Sequence, residues 1–136
     1  MDLHLDAPFS LDTWDGVADP DPADPDPADP DAPPTARVVL AKTYTGDQLT
    51  GSATGHALTT NGPRGASYVA QERITGTLAG RTGSFVLEHG ASMGDGAPTV
   101  QWARVVAGSG TGELTGLQGT GVVAHQLLTL DVVLPD

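Results

Sequence analysis

The chain has 136 residues and no cysteine, which is the length of one domain and excludes disulfide scaffolds and thiolate chemistry. A cytoplasmic location is the simplest interpretation, because the N-terminus lacks the basic start and apolar run of a signal peptide. No segment approaches the roughly 20 apolar residues of a membrane span, so no membrane partner is expected. The 18 glycines and the few aromatic residues favour short strands joined by tight turns over a helical bundle.

The formal net charge of −11 is concentrated in one segment, residues 19–34 (DPDPADPDPADPDAPP). Six of the 17 acidic residues lie there, which leaves eleven acidic residues against six basic ones elsewhere. An acidic domain of this kind repels phosphate backbones, so nucleic acid is not expected as a partner. Repeated prolines hold the backbone near polyproline II, and neighbouring aspartates repel one another. We therefore predict an extended, solvated insert within a single domain of residues 1–136.

Strand-like segments and turns alternate along the rest of the chain. The first segment, residues 3–14, is predicted to be a strand bent near Pro8, because proline cannot donate to a central ladder. The other strands are predicted at residues 36–45, 49–60, 68–78, 84–89 and 99–107, with two more in 120–135 around a tight turn near His125. Turns are predicted at 61–65 and at LAGRTG (78–83), a loop at 90–98, and a glycine-paced segment with turns or bulges at 108–119. Pro63 argues against a simple two-residue hairpin. Seven or eight short strands without helical periodicity predict an all-β fold, either an antiparallel barrel or a sandwich.

Glu72 and His89 are the candidate catalytic residues. Alternation along 68–78 places Glu72 on the apolar face with Tyr68, so its carboxylate is predicted to point into the barrel. Burial raises the pKa of an unpaired carboxyl, which suits a general acid or base near neutral pH. His89 is predicted to point inward at a barrel mouth, where an imidazole beside a carboxylate makes an acid–base pair. The structural alternative for Glu72 is that it pairs with a neighbour such as Arg104 or accepts from an unpaired backbone amide. The structural alternative for His89 is a core histidine with one satisfied hydrogen bond.

Aromatic and long polar side chains are the candidates for binding a ligand. Trp102 is expected to be either a flat wall for a ligand or a core filler, and the hydroxyl of Tyr44 either orients a ligand or reaches solvent. The candidate ligand-binding residues are Tyr68, Phe85, Trp102, Arg104 and Tyr44. The four histidines have no partner at i+2 or i+4, and no Cys-x-x-Cys motif exists. No metal or other cofactor is therefore predicted.

Three segments also resemble a known family: KTYTGDQLTGSATG (42–55), YVAQERITGTLAGRTGSFVLEHG (68–90) and VVAGSGTGELTGLQGTG (105–121). They are similar to a family of small bacterial proteins classed as a domain of unknown function. The resemblance implies an allene-oxide-cyclase-like fold for nearly the whole chain outside the acidic insert, and we therefore predict a single antiparallel β-barrel of about eight strands. It carries over no catalytic residue, because those of the cyclases do not align with this sequence. Compared with the family, the acidic repeat is longer and the final hairpin around His125 is shorter, and either change reshapes one mouth of the barrel.

The leading functional hypothesis is a barrel pocket for a small, largely apolar molecule, with cofactor-free cyclisation or isomerisation inside it. In this hypothesis Tyr68, Phe85 and Trp102 shape the ligand, while Glu72, helped by His89, moves a proton. The alternatives are a binding or carrier protein without turnover, and a filled barrel that serves as a structural or interaction module. The sequence leaves open whether the chain is an enzyme and whether it forms a homo-oligomer.

Overall fold

The fold is an eight-stranded antiparallel barrel in a computed structural model that describes residues 1–17 and 31–135. The strands are β1 (Asp2–Gly16), β2 (Thr35–Thr45), β3 (Leu49–Gly62), β4 (Gly65–Leu78), β5 (Arg81–Gly94), β6 (Ala97–Val105), β7 (Gln118–Ala124) and β8 (Leu127–Val133). Each strand pairs with the next along the chain, and β8 pairs with β1 to close the ring. The prediction of an all-β barrel is confirmed. Most of the predicted acidic insert lies outside the described residues.

The two ends of the barrel differ in how they are closed. The turns after β2 and β4, and a 3₁₀ turn at Gly112–Leu114 between β6 and β7, lie at one end, which we call the lower end. Leu114, Leu117 and Leu134 are buried there against the interior. The turns after β3, β5 and β7 lie at the opposite, upper end, where β1 ends and β2 begins. Within the described residues no helix is long and apolar enough to cross a membrane.

Four hairpins have two-residue turns, because the pairing continues up to the residues that flank each turn. The prediction that Pro63 prevents such a hairpin is wrong: Gly62 pairs with Gly65, and Pro63 takes the first turn position, where its fixed φ is accepted. The loop predicted at 90–98 is also wrong in extent, since β5 and β6 fill most of it. The irregularity of β1 lies between Leu11 and Thr13 and not at Pro8.

The β7–β8 hairpin is shorter than its neighbours and leaves the upper wall incomplete. β8 pairs with β1 only as far as Pro8, and β7 pairs with β6 only at Ala103 and Arg104. Among the residues that the structure describes, residues 10–16 of β1 and 97–102 of β6 therefore have no ladder partner on one side. We call the space between these two edges the side gap.

Candidate functional site

Glu72 lies inside the barrel with its carboxylate fully buried, so its predicted inward orientation is confirmed. It sits between Ala70 and Ile74 on the inner face of β4. Gly55 is its partner on β3, and a Cβ at that position would lie 2.0 Å from the carbonyl oxygen of Gln71. Glycine is therefore required opposite Glu72, because any side chain would push β3 away from β4.

Three buried side chains surround this carboxylate. The Tyr44 hydroxyl donates to Oε1 at 2.5 Å, while His89 Nε2 and Lys42 Nζ lie 2.9 Å and 2.8 Å from Oε2. All four residues are at most 4% exposed. The short Tyr44 contact has the length of a hydrogen bond from a hydroxyl to an ionised carboxylate. We call Lys42, Tyr44, Glu72 and His89 the internal cluster.

The environment of Glu72 keeps it ionised. Burial raises the pKa of Glu72, but the hydrogen bond from His89 and the positive charge of Lys42 outweigh it, and the pKa is lowered overall. The raised pKa expected for an unpaired carboxyl is therefore not found. The alternative in which Glu72 is paired is confirmed, although Arg104 is the wrong partner. Arg104 Nε instead lies 2.8 Å from Glu88 Oε1 on the outer surface.

His89 connects Glu72 to a second tyrosine nearer the upper end. Its Nδ1 lies 3.0 Å from the hydroxyl of Tyr68, and its Nε2 faces Glu72. In a neutral imidazole whose Nε2–H donates to the ionised carboxylate, Nδ1 carries the lone pair and accepts from Tyr68. Burial and the negative charge of Glu72 raise the pKa of the Tyr68 hydroxyl, which keeps it a neutral donor. Trp14 packs edge-on against the Tyr68 ring at 6.1 Å between centroids and is 42% exposed.

Lys42 has hydrogen-bonding capacity that the barrel does not use. Its Nζ contacts Glu72 Oε2 at ion-pair distance and lies 4.2 Å from the centroid of the Phe9 ring. Glu72 takes up one of the three N–H groups, and among the described residues the rest of the buried ammonium has no further acceptor. Lys42 was not among the predicted site residues. The signal was present, since alternation puts it on the same face as Tyr44 and it is the only lysine of the chain.

The remaining predicted site residues lie in three different places. Tyr44 and Phe85 point inward but belong to the large apolar core of the lower half, so Phe85 is not near an opening. Tyr68 is half-buried at the upper end. Trp102 and Arg104 point outward, because the buried residues of β6 are the alternate ones, Ala103 and Val105. The expectation that Trp102 and Arg104 line the interior is thus wrong.

The internal cluster lies at the boundary between two apolar regions. The lower half is filled by large side chains such as Leu78, Phe85 and Leu130, none of which is accessible. The upper region is a separate, smaller cluster of Val38, Leu40, Ala57 and Ala70, with Tyr68 packed against it. Two of the four buried residues of the upper cluster are alanines, which fill less of a barrel interior than leucines do.

Three surface grooves, of about 760, 350 and 450 Å³, are formed by the described residues. They lie on the outer wall and are lined by residues such as His4, Trp102, Arg104 and Asp131. No member of the internal cluster lines any of these three grooves. Within residues 1–17 and 31–135, no group of three or more histidine or acidic side chains is arranged to hold a metal ion.

Comparison with known sequences places the chain in a family. The sequence profile described as "Protein of unknown function (DUF3224)" matches residues 7–127. The chain belongs to the DUF3224 family. No curated protein matches it. One similar solved structure is the crystal structure of a DUF3224 protein of unknown function from Shewanella oneidensis MR-1, with 28% sequence identity and a TM-score of 0.79. The match covers 100% of this chain and 99% of that one, so the barrel is shared by a second DUF3224 protein over its whole length. The likeness to allene oxide cyclases stays a prediction.

Proposed function

We propose that this DUF3224 protein binds a small, largely apolar molecule at the upper end of the barrel and transfers a proton to or from it. The observation that carries the proposal is the inaccessible Glu72 carboxylate, held by Lys42, Tyr44 and His89 inside an apolar barrel. A buried ion pair of this kind rarely stabilises a fold more than apolar side chains of similar volume do. Stability alone therefore gives little reason for its presence, whereas a positioned acid–base pair gives one.

In this proposal His89 is the catalytic base and Glu72 is a positioning residue. Glu72 accepts from Nε2–H and so fixes the tautomer of His89 that presents the lone pair of Nδ1 to the upper half. Tyr68 covers that lone pair with its hydroxyl. A ligand that displaces the hydroxyl reaches the base directly, and the neutral phenol then remains beside it as a proton donor.

Access is expected from the side gap, above the internal cluster. Trp14 and Tyr68 form an aromatic pair at this end, and both remain partly accessible. Aromatic faces and alanine-lined space suit an apolar molecule, and exclusion of water from the lower half strengthens the electrostatic interactions of the cluster. In this arrangement the ligand lies against Trp14 and Tyr68, whereas Tyr44 and Phe85 support the floor from below.

The neutral fluorophore N-phenyl-1-naphthylamine tests the binding step in the full-length protein. We expect saturable binding with enhanced emission and with energy transfer from Trp14, one of only two tryptophans. Trp14→Phe should reduce the transfer more than the matched substitution Trp102→Phe does, because Trp14 packs against Tyr68 and Trp102 points outward. Transfer that depends on Trp102 alone would place the probe in an outer groove and contradict the proposal, as would the absence of saturable binding.

The second candidate is a filled barrel that acts only as a structural or interaction module. It is favoured by the outer position of the three grooves, which do not reach the internal cluster. Native mass spectrometry of protein purified from its source separates these candidates, because a used pocket retains a small molecule that a scaffold lacks. Glu72→Gln then tests the chemistry: the catalytic hypothesis fails if that variant leaves both ligand affinity and turnover unchanged.

A further inference from the structure

Lys42 can donate a hydrogen bond to a ligand, and its surroundings indicate which kind of ligand atom would accept it. The side chain is 4% exposed, and apart from the Glu72 carboxylate its ammonium has no acceptor among the described residues. A buried N–H group that has no acceptor is destabilising, and more so when the group is charged. The Phe9 ring covers one side of the ammonium, and Phe9 N–H bonds to Gln126 O at the lower edge of the side gap. An oxygen atom that enters through the gap can therefore satisfy this donor.

The charge of the internal cluster limits the kind of oxygen that fits. Lys42 and Glu72 neutralise each other at 2.8 Å. An anionic oxygen that contacted Nζ would come close to the carboxylate as well, and the two like charges would repel strongly in this buried setting. A cationic ligand would be repelled by Lys42. A neutral acceptor, such as the carbonyl oxygen of a ketone, aldehyde or ester, meets neither penalty.

Resting on the function proposed above, we infer that the ligand is a neutral carbonyl compound whose oxygen accepts a hydrogen bond from Lys42 Nζ while His89 Nδ1 removes a proton from its α-carbon. Lys42 and His89 both contact the same oxygen of Glu72, which sets them side by side. The electron pair of the broken C–H bond forms the C=C bond of an enolate, and the carbonyl π pair moves to the oxygen held by Lys42. Return of the proton from His89 to the α-carbon or to the γ-carbon of an unsaturated ketone completes an isomerisation without an oxidant or other co-reactant.

Cyclohexanone and cyclohexanecarboxylate form a matched pair of probes, since they share a ring and differ in charge. In full-length protein labelled with ¹³C,¹⁵N-lysine, the single lysine gives one side-chain signal, that of Lys42. We expect cyclohexanone to shift this signal saturably and the carboxylate to leave it unchanged. In D₂O, we expect the protein to speed deuterium uptake at the α-carbon of cyclohexanone about 100-fold over buffer, the usual contribution of a general base.

His89→Gln should abolish the acceleration of deuterium uptake, and Lys42→Met should also bring the rate close to that in buffer, because losing one oxyanion donor typically costs about 100-fold. Arg104→Gln, on the outer wall, should leave it unchanged. If Lys42→Met does not fold, the test is whether cyclohexanone shifts the Lys42 signal of the unmodified protein. Binding of N-phenyl-1-naphthylamine without any shift by cyclohexanone, or a shift caused by the carboxylate, overturns this inference and leaves the proposed binding function standing. If the unmodified protein shows no saturable binding of N-phenyl-1-naphthylamine, the proposed function itself is contradicted.

Discussion

Two ion pairs of equal length have opposite surroundings in this barrel. Lys42 Nζ and Glu72 Oε2 lie 2.8 Å apart with 4% and 0% of their side chains exposed. Arg104 Nε and Glu88 Oε1 lie 2.8 Å apart on the outer wall, 61% and 27% exposed. Removing one partner of a buried pair leaves an uncompensated charge inside the barrel, whereas water solvates the remaining partner of a surface pair.

Lys42→Met is therefore expected to lower the free energy of unfolding by about 3–5 kcal/mol. Arg104→Gln, the matched control, is expected to lower it by no more than about 1 kcal/mol. Urea unfolding followed by tryptophan fluorescence measures both values. Equal effects of the two substitutions would mean that water reaches Lys42.

The lowered pKa of Glu72 predicts a specific dependence of stability on pH. Below its ordinary value of 4.5, the unfolded chain takes up a proton at this position before the folded protein does. The stability that Glu72 contributes is thus complete above pH 4.5 and is lost as the pH falls through the lower folded-state pKa. We expect urea unfolding of the natural sequence between pH 5 and pH 3 to show a steeper loss than Glu72→Gln does. Parallel slopes would show that Glu72 does not titrate below its ordinary range.

Period-two alternation was enough to predict that Glu72 and His89 face inward, because a one-residue shift would expose the whole apolar set of either strand. The same rule did not decide which face of β6 is the inner one. Trp102 looked like the core residue there, yet the smaller Ala103 and Val105 are buried. The contact between Lys42 and Glu72 depends on how far the two side chains extend across the barrel. The spacing of residues along one strand does not predict such a contact.

At the scale of elements, the hairpin turns hold residues in a conformation that only some side chains accept easily. Ala79 has φ 49° and Gly80 φ 82° in the turn between β4 and β5, the two positive values of a type I′ turn. His125 and Gln126 adopt the same pair of signs, at 42° and 64°. The sequence predicted tight turns at both places from composition, but an Ala–Gly or His–Gln pair does not predict the turn type.

Ala79→Asn should raise the free energy of unfolding by about 0.5–1 kcal/mol, because asparagine tolerates the left-handed region and Asn–Gly is the preferred type I′ pair. Ala97→Asn, at an exposed strand end without positive φ, is the control and should give no gain. Thermal unfolding of both variants measures the difference. Equal Tm values would show that position 79 is not strained.

At the scale of the whole molecule, the barrel is closed and densely filled below the internal cluster and incomplete above it. Turn spacing and strand count predicted seven or eight antiparallel strands, and the family resemblance favoured a closed barrel over a sandwich. The side gap could not be predicted, because it depends on how far each ladder continues. β7 pairs with β6 at only two positions. This short ladder follows from the register of the two strands, which amino-acid composition does not predict.

Amide hydrogen exchange should reveal this asymmetry. Residues 97–102 of β6 and residues 10–16 of β1, each with one unpaired edge among the described residues, should exchange faster than β3 and β4, which are paired on both sides. Exchange followed by mass spectrometry of peptic peptides resolves these segments. Uniformly slow exchange along β1 and β6 would mean that the side gap is covered in solution.

The central claim is that Glu72 is ionised inside the barrel and holds His89 in one orientation. The chain has only three glutamates, so carboxyl ¹³C signals of labelled glutamate can be followed individually against pH, with Glu72→Gln assigning the one that matters. We expect the Glu72 signal to keep its ionised shift below pH 4.5, with a midpoint lower than that value. A midpoint above pH 4.5, in the range of a protonated buried carboxyl, would contradict the account.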